Sequence, residues 1–250
     1  MTIYNKLNIS YLYISFGLLC TITGLFREFI VFSSIIIFHE FGHIFIALKK
    51  GYTINKINVY PFGGFTNLSH PINIPIKNEF ILIIFGFIFQ LLFFIIIIFL
   101  FNINLIREST FNLHKIYNIN IFLFNILPIL PLDGGKLLNL LLNKFLSFKT
   151  SHFLSIILSI IIILLIFFNS FNNLNILILM LVLGQKVLEE YKNRKFIFST
   201  LLLERYLNKY KFTKVKVINN PNKIMRDKKH VIKYKGKFLT EKQYLKYRYK

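Results

Sequence analysis

Two histidines and a glutamate stand inside an apolar run, FHEFGHIF, at residues 38–45. His39 and His43 are spaced i, i+4, so on a helix their side chains stack on one face. Glu40 projects about 100° further round. The arrangement suits one zinc ion held by both imidazoles, with the Glu40 carboxylate reaching a water at the metal rather than the metal itself. The plain alternative is a buried histidine pair that hydrogen-bonds between helices. Two imidazoles and a water leave a tetrahedral zinc one protein ligand short. The stretch FNILPILPLDGGK, residues 124–136, offers Asp133, the only aspartate before residue 192. Pro128, Pro131 and the pair Gly134-Gly135 break a helix there and let a carboxylate swing out of it. The alternative is that Asp133 caps a helix starting near Gly134. His70, His114, His152 and His230 lack partners at ligand spacing and read as loop or interfacial residues.

Such residues need apolar helices to carry them. The 250-residue chain is 55% hydrophobic, with no Trp and one Cys, which points to a membrane protein and excludes a disulfide framework or a cysteine-based metal site. The fold class read from the sequence is an all-α polytopic membrane protein of about six transmembrane helices. The spans fall at about 8–26, 29–48, 80–101, 116–142, 152–169 and 174–190, with the fourth broken by its prolines and glycines. MTIYNKLNIS has one lysine and no small-residue cleavage site, so the first span reads as retained. Residues 52–68, YTINKINVYPFGGFTNL, alternate apolar and polar positions and turn at Pro61-Phe62-Gly63-Gly64. That is a β-hairpin-like loop, either re-entering the membrane or lying at its surface.

The net charge of +21 is concentrated at one end. From Lys192 onward there are 19 Lys and Arg against three acids, a net of +16. The chain thus divides into a membrane domain, 1–191, and a small basic α+β tail, 192–250. A basic tail beside membrane spans belongs on the cytoplasmic side, near anionic lipid, and no direct nucleic acid contact is expected. Lys49, Lys50, Lys56, Lys77, Lys144 and Lys149 then fall in inner loops, with only Arg27, Arg107 and Lys115 outside. The expected location is the bacterial cell membrane, multi-pass, with both termini cytoplasmic.

The pair HEFGH and NILPILPLDGGK resembles the site-2 protease family of intramembrane zinc metalloproteases, and PFGG fits that family's re-entrant hairpin. The six-span plan and the stretch LLLERY…MRDKKHVI, residues 201–232, look most like its stage IV sporulation protease subgroup, which processes a mother-cell sigma factor precursor. The tail is short and lysine-rich for the CBS-like domain of that subgroup, so it reads as a reduced version at most. The resemblance implies a zinc metalloendopeptidase with one Zn2+ held by His39, His43 and Asp133 and with Glu40 as the catalytic base. It implies hydrolysis of a peptide bond in a membrane-associated protein near the cytosolic face, and membrane-embedded regulators as further partners. Phe62, Gly63, Gly64 and Phe65 would add a strand to unwound substrate, and Asn125 would hydrogen-bond substrate or the Asp133 segment, a helix–helix contact being the equal alternative. Other substrates for such a protease are an anti-sigma factor or a remnant signal peptide. Readings of a different class are a membrane carrier built on the broken helix and a non-catalytic scaffold with a structural zinc.

Overall fold

The computed structural model describes residues 7–9, 11–60, 63–69, 71–170, 172–208, 210, 212, 214–234 and 236–248, of which 7–9, 12, 53–60, 63–69 and 247–248 are described by backbone alone. The chain forms two compact units: residues up to 70 with Ile81–Asn125, and Pro71–Phe80 with Ile126–Lys250.

In the first unit, strand β1 (Leu7–Ile9) precedes helices α1 (Tyr11–Ile22) and α2 (Phe26–Lys49). Strands β2 (Thr53–Tyr60) and β3 (Gly63–Ser69) follow, then most of α3 (Ile76–Asn102) and of α4 (Glu108–Ile126). β2 and β3 pair antiparallel, Tyr60 opposite Gly63, so the alternating segment is a hairpin. β1 pairs parallel to β2, with Leu7 opposite Ile57, an addition that its three residues gave no pattern to announce. α1 is shorter than the span read at 8–26. Its 12 residues rise only about 18 Å against a hydrocarbon core of about 30 Å. It stops where Gly24 takes φ +76° and Leu25 N–H returns to the Cys20 carbonyl at 2.7 Å. Gly51, φ +74°, ends α2 the same way, with Tyr52 N–H donating to Ala47 O at 2.9 Å.

Among the described residues, three helices are long and apolar enough to cross a membrane: Phe26–Lys49, Ile76–Asn102 and Phe148–Asn169. Their outer faces carry exposed Ile37, Phe41, Phe45, Leu92, Ile96, Phe99, Ile161, Leu165 and Phe168, a composition made for acyl chains. α2, α3 and α4 bury Val31, Ile35, Ile36, Phe93, Ile97 and Ile121 between them.

The second unit starts at the break. α4 ends at Ile126 and α5 (Asp133–Phe145) begins seven residues later, with α6 (Phe148–Asn169) and α7 (Leu174–Leu207) following. The freed backbone N–H of Leu130 donates to Ser159 Oγ at 2.9 Å. Ser159 sits in a row with Ser151 and Ser155, all fully buried on one face of α6, and Ser151 Oγ donates to Asn143 Oδ1 of α5 at 2.8 Å. Small hydroxyl residues let helices approach and satisfy polar groups that lipid cannot. Gly134 and Gly135 belong to the same packing. A Cβ on either would overlap the backbone of Ile126 or Ile129.

α7 runs unbroken from Leu174 across position 192 to Leu207. Beyond it, β4 (Lys214–Ile218) pairs parallel with β5 (Lys228–Tyr234), which pairs antiparallel with β6 (Lys237–Thr240), and α8 (Glu241–Arg248) closes the chain. Phe198, Leu201, Leu202, Ile218, Ile224, Ile232 and Leu245 form its core, with Phe148 of α6. Arg205 is 3% exposed and ties this unit together. It donates to Asn73 Oδ1 (2.7 Å), Met225 O (2.8 Å) and Lys228 O (3.1 Å), and pairs with Glu241 at 2.9 Å. Neighbouring Glu204 accepts from Ile72 N and Asn73 N, Asp227 Oδ2 accepts from Ile76 N in the first turn of α3, and Arg226 pairs with Glu79 at 2.6 Å. The lysine-rich tail therefore folds around a few acids and arginines that face inward.

Burial by itself would raise the Glu241 carboxyl, but a hydrogen bond from His230 and the charge of Arg205 outweigh it and hold it below the usual carboxylate range. A depressed carboxyl contributes stability that is complete above its unfolded value of 4.5 and is lost as pH falls through the lower folded value. Tyrosine near-UV dichroism of the tail should therefore hold at neutral pH and collapse on acidification below that value. Arg205→Leu, which strands Glu241 in the interior, should destabilise the tail by about 3–5 kcal/mol in a urea titration of the solubilised chain.

Candidate metal centre

His39, Glu40 and His43 occupy two turns in the middle of α2, and one ligand atom from each lies within 4.8 Å of the others. His39 is 2% and His43 6% exposed, while Glu40 is half-buried. Each imidazole uses Nδ1 for a protein partner from α3. His43 Nδ1 lies 2.9 Å from the Leu82 carbonyl oxygen, and His39 Nδ1 lies 3.1 Å from Gln90 Oε1. A carbonyl can only accept, so Nδ1 of His43 carries the proton and Nε2 presents a lone pair. The two Nε2 atoms face one another at 3.2 Å.

With the proton on Nδ1 of both rings, the two Nε2 lone pairs face one another, an arrangement that repels in an apolar interior unless a cation lies against both. At zinc–nitrogen distances of about 2.0–2.1 Å, two imidazole ligands of a tetrahedral ion stand about 3.3–3.4 Å apart. The observed separation matches that edge, so the donor set fits zinc. Fixing the far nitrogen of each imidazole on a carbonyl oxygen is how proteins orient such ligands. Through Nδ1 both histidines hydrogen-bond from α2 to α3, while their Nε2 atoms meet within a single helix.

α3 makes room for this. A Cβ at Gly86 would overlap the His43 ring and press on His39 Cε1, and a Cβ at Gly42 of α2 would overlap the Phe85 backbone of α3. Phe87 sets its ring edge-on to His39 at 5.5 Å. Gly86 and Gln90 were legible as a signal: they are the only two residues between Ile81 and Phe101 that are not hydrophobic.

Asp133 belongs to the second unit. It is the first residue of α5, 5% exposed, and its Oδ1 accepts from Lys136 Nζ at 3.0 Å. Leu132 holds the cap position and no side chain caps the helix, so Asp133 is not the cap that its place before two glycines allows for. Asn125 is half-buried in the last turn of α4. Gly63, Gly64 and Phe65 are in β3, opposite Tyr60, Val59 and Asn58. Pro61, Phe62 and His70 lie outside the described residues. The remaining described histidines are not in loops but in helices or a strand. His114 of α4, His152 of α6 and His230 of β5 are all buried, and His230 Nε2 accepts from Met225 N.

Comparison with known proteins agrees with this chemistry. The model of peptidase family M50 matches residues 103–168, from the turn after α3 to the end of α6. Stage IV sporulation protein FB of Bacillus subtilis is 34% identical over 192 residues, which cover 75% of this chain and 67% of that protein. The chain belongs to peptidase family M50. A zinc metalloprotease of Methanocaldococcus jannaschii is 29% identical over 119 residues, 46% of this chain and 34% of its own length. The solved site-2 protease from the same organism superposes with a TM-score of 0.59 at 20% identity, covering 74% of this chain and 89% of that one, and shows that the fold is shared. The M50 peptidase described here is thus a membrane zinc metalloprotease, and His39, Glu40 and His43 form a group able to hold its metal.

Because Gly86 leaves the space that both imidazoles occupy, Gly86→Ala should strip the metal from this M50 peptidase. Atomic emission on the purified protein should find zinc near background, whereas Gly184→Ala, where a Cβ meets nothing within 4 Å, should retain the parent's content.

Proposed function

We propose that this chain cleaves a membrane-associated protein within the bilayer near its cytosolic face, with His39, His43 and Asp133 as the zinc ligands and Glu40 as the general base. The observation that carries the reading is the pair of buried Nε2 atoms at a zinc edge distance, with a carboxylate beside them on an apolar helix. Zinc, when bound, supplies Lewis acidity, lowering the pKa of a water toward neutrality and polarising the scissile carbonyl. His39 and His43 bind through Nε2, and Asp133 supplies the third, anionic ligand. Glu40 takes the proton of the attacking water and hands it to the leaving amine. The β2–β3 hairpin offers backbone hydrogen bonds to an unwound substrate strand, with Gly63, Gly64 and Phe65 at the start of β3 and Phe62 preceding them in sequence. Asn125 steadies substrate or the segment leading to Asp133.

Likeness to a sporulation protein supports a sigma factor precursor as the substrate. In this reading the chain is multi-pass with six spans, both termini are cytoplasmic, and the product is released toward the basic tail, which rests against anionic lipid. His43 lies six residues before the end of α2, about 9 Å along the axis, which suits cleavage close to one membrane face.

In vesicles containing the chain and a membrane-bound pro-sigma factor, Glu40→Gln should slow cleavage by about 10²–10⁴-fold while zinc remains bound. Cleavage at the parental rate would sink the proteolytic mechanism. Asp133→Ala should weaken zinc binding; unchanged affinity would remove Asp133 from the ligand set. Cleavage of an anti-sigma factor or a remnant signal peptide in place of the sigma precursor would redirect the substrate assignment.

A further inference from the structure

Gln90 is the one polar side chain in the 21-residue apolar run of α3, and it is fully buried. An amide inside a membrane helix must have its donors and its acceptor satisfied by protein. Gln90 Nε2 donates to the backbone oxygen of Asn118 on α4 at 3.0 Å and to Asn118 Oδ1 at 3.0 Å. A backbone carbonyl never donates, so the contact with Asn118 O fixes which end of the amide is nitrogen. The oxygen, Oε1, must then face His39 Nδ1, 3.1 Å away.

We propose that Gln90, oriented by Asn118, is a positioning residue that holds His39 in the tautomer whose Nε2 carries the lone pair for zinc. The inference rests on the reading of His39 as a ligand. With the amide reversed, its NH2 would donate to Nδ1, the ring proton would sit on Nε2, and His39 could not ligate. Reversal is blocked because it would set Oε1 against two oxygens of Asn118. The two imidazoles are therefore held in different ways. His43 is set by the Leu82 backbone, which no side-chain change can alter, whereas His39 depends on one replaceable amide. α4 acts on the zinc ligand through Asn118 without touching the metal.

The test uses the full chain in detergent, with zinc affinity measured by chelator competition and cobalt binding by its visible d–d absorption. Gln90→Met, which fills the same space without a hydrogen bond, should bind zinc about 10–100-fold more weakly. Its residual peptidase activity should climb as free zinc is raised. Gln90→Glu, as the neutral acid, keeps an oxygen on His39 Nδ1 and an O–H on the Asn118 carbonyl, and should stay within about 3-fold of the parent. A role confined to packing α3 against α4 would penalise Met and Glu alike, and would not respond to added zinc. The proposal is overturned if Gln90→Met binds zinc like the parent, or if Gln90→Glu loses affinity by more than about 10-fold. Should Gln90→Met not fold, the Gln90→Glu result decides alone. His39→Ala separates the two layers: zinc retained at parental affinity removes the ligand assignment and this inference with it. Zinc lost in His39→Ala but not in Gln90→Met removes only the role of Gln90.

Discussion

A histidine can give its lone pair to a metal only if the proton on its other nitrogen has somewhere to go. In water that requirement is trivial, but in the interior of a membrane protein the acceptor must be built. Much of the first unit answers this constraint. α3 supplies one acceptor from its backbone at Leu82 and one from a side chain at Gln90, whose longer reach spans the difference between their two-turn separation and the one-turn stagger of His39 and His43. The glycines at 42 and 86 exist because α3 must come close enough for those contacts without displacing the rings. The stacked rings of Phe38 and Phe93, 4.1 Å apart, seal the same pair of helices one turn further along.

The second unit solves the complementary problem of an interrupted helix. Pro128 and Pro131 prevent α4 from continuing, which leaves backbone groups exposed between Ile126 and Asp133. Those groups are met by neighbours: the serine row on α6 accepts one of them, and the paired glycines of α5 draw the helix start against Ile126 and Ile129. The strong amphipathic character of α5 follows, since one side faces this packing and Lys136 and Lys144 point away. Asp133 thus stands on a short, well-supported stretch of chain rather than on a loose loop, with Lys136 as a cationic neighbour.

Motif residues were the most legible part of the chain, because titratable side chains in apolar sequence have few structural uses. HEFGH and LPLDGGK could be read for chemistry directly, and the hairpin was announced by its alternation and its glycines. What escaped was relational. Gln90 and Ser159 look unremarkable one at a time, and their work depends on partners 28 to 51 residues away in sequence. β1 was hidden because three residues at the edge of an apolar segment carry no periodicity. The buried histidines at 114, 152 and 230 were misjudged because spacing tests for ligands and says nothing of histidines that simply fill a core. The tail was read by its net charge, yet its architecture rests on the few residues of opposite sign, Glu204, Asp227 and Glu241.

The bonds that fasten residues 72–79 to residues 204–227 have a consequence in time. α3 enters the bilayer as the ribosome makes it, but its first turn finds its cap in Asp227 and its flanking segment finds Glu204 and Arg226 only after more than a hundred further residues have been made. Until then the Ile76 N–H and the Glu79 carboxylate have water as their partner. Nascent chain halted before the tail emerges would lack these partners, so the start of α3 is held by residues that are made long after it.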